Sequence, residues 1–149
     1  QLVNLIKSNT KIKFQVFIGI FSKNYDYLLK LNSRFKNLKI IFKKISIDNY
    51  FSKTNLFIGS SGNSIYETSY LNIPSIFFCL QKNQENTLTS SQKLGHFFFL
   101  DIKNINSNNF NLLIKVFILN YERIKKLICD KKINLNKKGI KNIISKCNI

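Results

Sequence analysis

Apolar residues along this chain alternate between two spacings. Short, solid runs rich in Ile, Phe and Leu predict β-strands over residues 13–20, 38–42, 56–58, 75–80 and 97–100. Between these runs the apolar spacing is helical, which predicts helices over residues 2–7, 25–35, 65–71, 84–94, 109–126 and 138–146, with a short amphipathic turn over 47–53. In the 25–35 helix, Leu28, Leu29 and Leu31 are expected to face the core.

Strands that alternate with helices in this way predict an α/β fold, in which a Rossmann-like parallel sheet carries helices on both faces. The chain has 149 residues, which is enough for a single domain over residues 1–149. In such sheets ligands bind beyond the carboxyl ends of the strands. The loops at residues 59–64 and 81–86 follow consecutive predicted strands, so we expect them to line one crevice.

The first of these loops contains the most informative local pattern in the chain. After the strand that ends at Ile58, the small-residue turn 59–64 leads into a helix that carries Glu67 in its first turn. Backbone N–H groups at a helix start attract phosphate, and a nearby carboxylate accepts hydrogen bonds from sugar hydroxyls. The pattern therefore predicts a nucleotide-sugar site. Ser64 and Glu67 also have the spacing of a capping box, a structural role that does not exclude the first one.

The net charge of +17 at first suggests a nucleic acid or an anionic membrane as partner. However, only Arg34 and Arg123 among the 24 basic residues are arginines, and the lysines are spread along the chain. This composition is typical of an AT-rich genome. Nucleic-acid-binding surfaces favour arginine and exposed aromatic residues, so no specific nucleic-acid partner is predicted. A basic binding module without chemistry remains an alternative.

Other features bear on compartment and cofactors. Cys79, Cys129 and Cys147 are widely spaced, which predicts neither disulfides nor a zinc site. No apolar run approaches the ~20 residues of a transmembrane helix, and no signal peptide is evident. We therefore expect a cytoplasmic protein without a metal or other cofactor, and peripheral membrane contact stays open. Since the chain contains no Met, we expect Gln1 to begin a fragment of a longer protein.

Four segments together carry a resemblance to a known family. They are Thr54–Glu67, Leu71–Ser75, Asn83-Gln84 and Leu94-Gly95. This set resembles the C-terminal domain of family-28-type glycosyltransferases, which have the GT-B fold of two Rossmann-like domains. Within that family it is most similar to the UDP-sugar hydrolases of the pseudaminic acid pathway and to spore-coat polysaccharide proteins. The resemblance covers most of the chain, up to residues 136–140.

The resemblance implies a role for particular residues. The diphosphate would lie at the Ser61–Ser64 turn, which consists of Ser61, Gly62, Asn63 and Ser64. Glu67 would bind the ribose, and Asn83 and Gln84 would face the sugar and phosphate side. Ile47 would contact the uracil. In the hydrolases the catalytic histidine lies in the N-terminal domain, and we expect that domain and the first strand of the present domain to be missing here. The chain is therefore expected to bind a UDP-sugar but to contain no catalytic residue, and to be inactive alone.

The function implied is the UDP-sugar-binding part of a hydrolase in amino-sugar biosynthesis for cell-surface glycans. The alternative is the donor-binding domain of a UDP-hexosamine glycosyltransferase. Two departures from the family pattern are Asn55, where aspartate is usual, and Ser61, where a second glycine is common. A serine would be strained if that position required a positive φ. His96 lies where a helix returns to a strand, away from the ligand end, and is expected to be structural.

Overall fold

The computed structural model describes residues 2–19, 22–42, 48–103 and 106–130. The strands are β1 (Phe14–Ile18), β2 (Leu38–Phe42), β3 (Phe57–Ser60), β4 (Ser75–Phe78) and β5 (Phe97–Phe99). The helices are α1 (Leu2–Ser8), α2 (Tyr25–Arg34), α3 (Asp48–Phe51), α4 (Ser64–Tyr70), α5 (Asn83–Ser91), α6 (Ser107–Leu119) and α7 (Tyr121–Cys129), and a 3-10 turn over Gln92–Leu94 follows α5. Strands and helices thus alternate up to β5, and the predicted α/β class is confirmed.

The described residues fall into two compact units. The first unit lies within Gln1–Asp48 and Asn106–Val116, and the second within Asn49–Ile105 and Phe117–Ile149. Each contains its own parallel sheet, β1-β2 in the first and β3-β4-β5 in the second. Over the described part of the chain the strands therefore form two hydrogen-bonded sheets, whereas the sequence analysis expected one. Apolar runs predict strands, but they do not encode which strands pair.

The core of the first unit lies where α1 and α2 meet the sheet. Ile6, Leu31 and Leu38 are buried there, and half-buried Phe14 and Val16 of β1 pack against them. A polar clamp supports this core, because the side-chain amide of Asn37 lies within hydrogen-bonding distance of three carbonyl oxygens. These belong to Ile6 at 3.3 Å, Asn9 at 3.2 Å and Ile12 at 3.2 Å.

The core of the second unit is built around Phe77 on the central strand. Its ring lies 5.5 Å from the rings of both Phe57 and Phe97. Ile65 of α4 and Leu88 of α5 complete this cluster together with Leu94. On the opposite face of β5, the half-exposed ring of Phe98 lies 5.4 Å from that of Phe117. Of the run Phe97–Phe99, only Phe97 packs in the core, while Phe98 and Phe99 are exposed.

The turn between α4 and β4 has an unusual backbone. Asn72 has a positive φ of 53°, a region that favours glycine and, among other residues, asparagine. The ammonium group of Lys125 on α7 donates a 2.6 Å hydrogen bond to the Asn72 carbonyl oxygen. This contact joins the end of α4 to a helix more than fifty residues later in the chain.

Several local predictions need correction. The predicted helix 109–126 is two helices, because the backbone of Asn120 leaves helical geometry (φ −105°, ψ 14°) and precedes α7. Leu29 is 41% exposed rather than directed to the core, since only part of a helix surface can face one sheet. The helix predicted to start at residue 84 begins one residue earlier, at Asn83. The predicted helix 138–146 lies outside the described residues.

Candidate functional site

The Ser61–Ser64 turn connects the end of β3 to the start of α4. Ser61 is buried and its N–H donates a 2.8 Å hydrogen bond to the Phe78 carbonyl oxygen, which continues the sheet. The next three N–H groups, of Gly62, Asn63 and Ser64, meet no acceptor among the described residues. They lie at the positive end of the α4 backbone, where an anion is stabilised. The turn therefore has the donors that the sequence predicted.

The capping box predicted from Ser64 and Glu67 is wrong. Asn63 occupies the cap position with helical dihedrals (φ −58°, ψ −30°), and no side chain accepts a capping hydrogen bond there. Ser64 is the first residue of the helix, and its hydroxyl donates instead to the Ser60 carbonyl oxygen at 3.5 Å. A helical backbone at Asn63 moves the start of the helix one residue earlier than the sequence pattern suggests.

Because the capping box does not form, the Glu67 carboxylate makes no stabilising contact in the described part of the chain. Glu67 is exposed on the first turn of α4, and among the described residues its side chain has no hydrogen-bond or ion-pair partner. An ionised carboxylate accepts hydrogen bonds only. Its position beside the helix start leaves it available to hydroxyl groups of a ligand.

The backbone of the turn does not require glycine at Ser61. Among the described residues, only Asn72 and Gly95 have a positive φ, so the backbone at Ser61 is not strained. Gly62 faces open space, because a Cβ built on it would meet no atom within 4 Å. The absent side chain leaves room for a ligand to approach the backbone of the turn.

The second candidate loop, after β4, lies against this turn. The hydroxyl oxygen of Ser61 is 3.5 Å from the sulfur of Cys79 and donates to the Gln84 carbonyl oxygen at 3.4 Å. The Gln84 side chain has a structural role that the sequence did not predict, because its Oε1 accepts a 2.8 Å hydrogen bond from the Leu80 N–H. Asn83 is exposed in the first turn of α5. The structure thus brings the two loops together.

Two further residues were assigned roles from the sequence. Ile47, the expected uracil contact, lies outside the described residues. His96 is fully buried before β5, where its backbone carbonyl accepts a 3.1 Å bond from the Ser75 N–H and its Nε2 lies 3.0 Å from the Thr68 hydroxyl. That hydroxyl also donates to the Ser64 carbonyl oxygen at 2.7 Å. His96 is therefore a structural residue at the amino end of the sheet, as predicted.

A small open cleft of about 160 Å³ adjoins the second loop, and the sequence analysis did not identify it as a site. We call it the β4–β5 cleft. It is lined by Cys79, Glu85 and the segment from Phe99 to Lys103. Its polar members are Glu85, Asp101 and Lys103, and the Asp101 carboxylate accepts a 3.0 Å hydrogen bond from the Lys103 N–H. The one signal in the sequence was an aspartate directly after the last apolar run.

The part of the chain that the structure describes contains no metal-binding cluster and no membrane-spanning helix. No three His, Cys, Asp or Glu side chains converge there in a way that would hold a metal ion. None of the helices in those same residues combines the length and the apolar character needed to cross a bilayer. The comparisons with known proteins found no matching family model, no similar curated protein and no similar solved structure.

Proposed function

We propose that the second unit is the UDP-sugar-binding part of a nucleotide-sugar hydrolase that acts on amino sugars of cell-surface glycans. The observation that carries the proposal is the row of N–H groups at Gly62, Asn63 and Ser64, which have no acceptor among the described residues. Backbone N–H groups arranged in this way typically bind phosphate groups, and a diphosphate suits them best. The choice of a UDP-sugar follows from the resemblance of this strand, turn and helix to family-28-type glycosyltransferases.

The neighbouring side chains support the same choice of ligand. Glu67 offers an exposed acceptor for ribose hydroxyls. Gln84 has its amide oxygen engaged with Leu80, so its amide NH₂ group is held in place and can donate to the sugar or phosphate. No metal is needed to balance the diphosphate in this arrangement, because N–H groups and the helix start supply the positive potential.

A calorimetric titration of the full chain with UDP tests the proposal. We expect weak binding, and weaker binding still of UMP, which lacks the second phosphate. Gly62→Ala should lower UDP affinity about tenfold, the loss expected for one charge-assisted hydrogen bond, because its methyl group would stand between ligand and backbone. Gly19→Ala is the matched control, since a Cβ at Gly19 also meets no atom within 4 Å.

The same titration separates a specific site from simple attraction to a basic protein. Inorganic tripolyphosphate carries the charge of a nucleotide without its ribose and base. If it bound as tightly as UDP, and if Gly62→Ala and Glu67→Gln left both affinities unchanged, the chain would be a basic binding module. Absence of heat and of any thermal shift at millimolar UDP would also refute the proposed site.

A further inference from the structure

We infer that the β4–β5 cleft binds the sugar ring of the nucleotide-sugar and that it selects an uncharged, hydroxyl-bearing ring. The inference rests on the proposed function, because it assigns the cleft to the same ligand. It adds Phe99, Glu85 and Asp101 as residues that determine specificity, in addition to Asn83 and Gln84.

The first step is the position of the cleft beside the turn. Cys79 lines the cleft, and its sulfur is 3.5 Å from the hydroxyl oxygen of Ser61, the residue that precedes the free N–H groups. Both features lie at the carboxyl end of the same sheet, after β3, β4 and β5. We therefore assign the cleft to the group that is attached to the diphosphate.

The second step is the size of the cleft. At about 160 Å³, it is well below the roughly 300–1,000 Å³ of pockets that enclose drug-sized molecules. It has room for one ring and not for a whole nucleotide. This leaves the uridine outside the cleft, on the Glu67 side of the turn.

The third step is the chemistry of the lining. The Phe99 ring is 53% exposed, although it belongs to a strand of the sheet. Such a ring offers an apolar surface for the C–H face of a pyranose, while the carboxylates of Glu85 and Asp101 accept hydrogen bonds from its hydroxyl or acetamido N–H groups. An apolar platform flanked by acceptors suits a sugar.

The fourth step is charge. Glu85 and Asp101 are two of only seven acidic residues in a chain of net charge +17, and they share the cleft with one lysine, Lys103. The lining is thus net negative by one charge, in contrast to the rest of the protein. An additional carboxylate on the sugar would be repelled there, which disfavours uronic acids relative to neutral rings.

The experiment compares three ligands on the full chain by calorimetry: UDP, UDP-glucose and UDP-glucuronate. The last two differ only in that a carboxylate replaces a hydroxymethyl group. We expect UDP-glucose to bind several-fold tighter than UDP, and UDP-glucuronate to bind roughly fivefold more weakly than UDP-glucose.

Variants assign these differences to the cleft. Phe99→Ala should remove the advantage of UDP-glucose over UDP and leave UDP affinity unchanged. Phe98→Ala is its control, because Phe98 is similarly exposed but lies on the opposite face of β5. The double variant Glu85→Gln/Asp101→Asn should reduce the gap between UDP-glucose and UDP-glucuronate. Thermal unfolding of each variant verifies that it is folded.

The outcomes distinguish the inference from the function on which it rests. If UDP binds but the sugar adds no affinity, or UDP-glucuronate binds as well as UDP-glucose, the cleft is not the sugar site while the proposed function stands. The same holds if Phe99→Ala and Phe98→Ala behave alike. If none of the three ligands binds, both the cleft assignment and the proposed function fail.

Discussion

The two units build parallel sheets from similar apolar segments but bury them to different extents. In the first unit, β1 leaves Gln15 and Phe17 exposed and buries only Ile18 fully. In the second unit, β4 is paired on both sides, and three of its four residues are buried. The first sheet is supported by hydrogen bonds from the side chain of Asn37, whereas the second is held by tilted and edge-on aromatic rings.

This comparison shows that burial of a strand depends on its neighbours more than on its own composition. A run such as Phe14–Ile18 is as apolar as Ser75–Phe78, yet only the second has a hydrogen-bonded strand along each edge within the described residues. A central parallel strand is covered on both faces. The second unit is therefore where we expect substitutions to be most costly, and it is also where the proposed site lies.

The largest expected effect is at the centre of the second sheet. Phe77→Ala should lower the free energy of unfolding by about 3–5 kcal/mol, because it leaves a cavity that the surrounding rings cannot fully fill. Phe14→Ala in β1 should cost roughly half as much, since Phe14 is already partly exposed. Urea unfolding of the two variants measures the difference. Equal losses would contradict the contrast between the units.

The next effect concerns the buried hydroxyl of Thr68. Thr68→Val keeps the shape of the side chain but removes the hydroxyl that meets His96 Nε2 at 3.0 Å and the Ser64 carbonyl oxygen at 2.7 Å. We expect a loss of about 1–3 kcal/mol, as for other buried polar groups that lose a partner. Thr68→Ser retains the hydroxyl and should be milder in the same unfolding experiment. No difference between valine and serine would show that this hydrogen bond contributes nothing.

A smaller effect is expected from the polar clamp of the first unit. Asn37→Asp is nearly isosteric but cannot donate hydrogen bonds, so the carbonyl oxygens of Ile6, Asn9 and Ile12 lose their donor. Asn37→Ala should cost about 1 kcal/mol, and Asn37→Asp should cost somewhat more, because its carboxylate also repels the three carbonyl oxygens. Thermal unfolding checks both. A loss as large as that of Phe77→Ala would mean that the clamp is as important as the aromatic core.

The smallest effect on stability is expected for the two open glycines. Gly62→Ala and Gly19→Ala should each change the free energy of unfolding by less than about 0.5–1 kcal/mol, because the added methyl meets no atom within 4 Å. The two variants should thus have similar free energies of unfolding in urea, whereas only Gly62→Ala should lower the affinity for UDP. If Gly62→Ala strongly destabilised the fold, its effect on UDP would not report on ligand contact.

Local structure was the part of the fold that the sequence predicted best. The strand Leu38–Phe42 has the predicted bounds, and Gly95 ends the helical segment after α5 with the left-handed backbone that glycine permits. Both features have a clear signal in the local sequence. The pairing of strands into two sheets and the exposure of Leu29 depend on contacts between distant segments, which spacing does not encode.

The same division applies to the candidate site. The Ser61–Ser64 turn lies within one strand, turn and helix, so its residues were identifiable together. The β4–β5 cleft combines Glu85 from α5 with Phe99 and Asp101 from the end of β5. Such a site has no motif, because its members are brought together by parallel pairing of β4 and β5. The role of Gln84 in its own loop was missed for a different reason: its partner Leu80 is only four residues away, but a bond to a backbone N–H requires no particular residue there.

The hydrogen bond from Lys125 to the Asn72 carbonyl oxygen limits how the chain can be shortened. A truncated protein that stops at the end of β5 would keep every strand of the second sheet yet lose the cation that secures the left-handed corner after α4. The helix that carries Glu67 ends at that corner. Efforts to isolate a minimal ligand-binding fragment should therefore extend through α7.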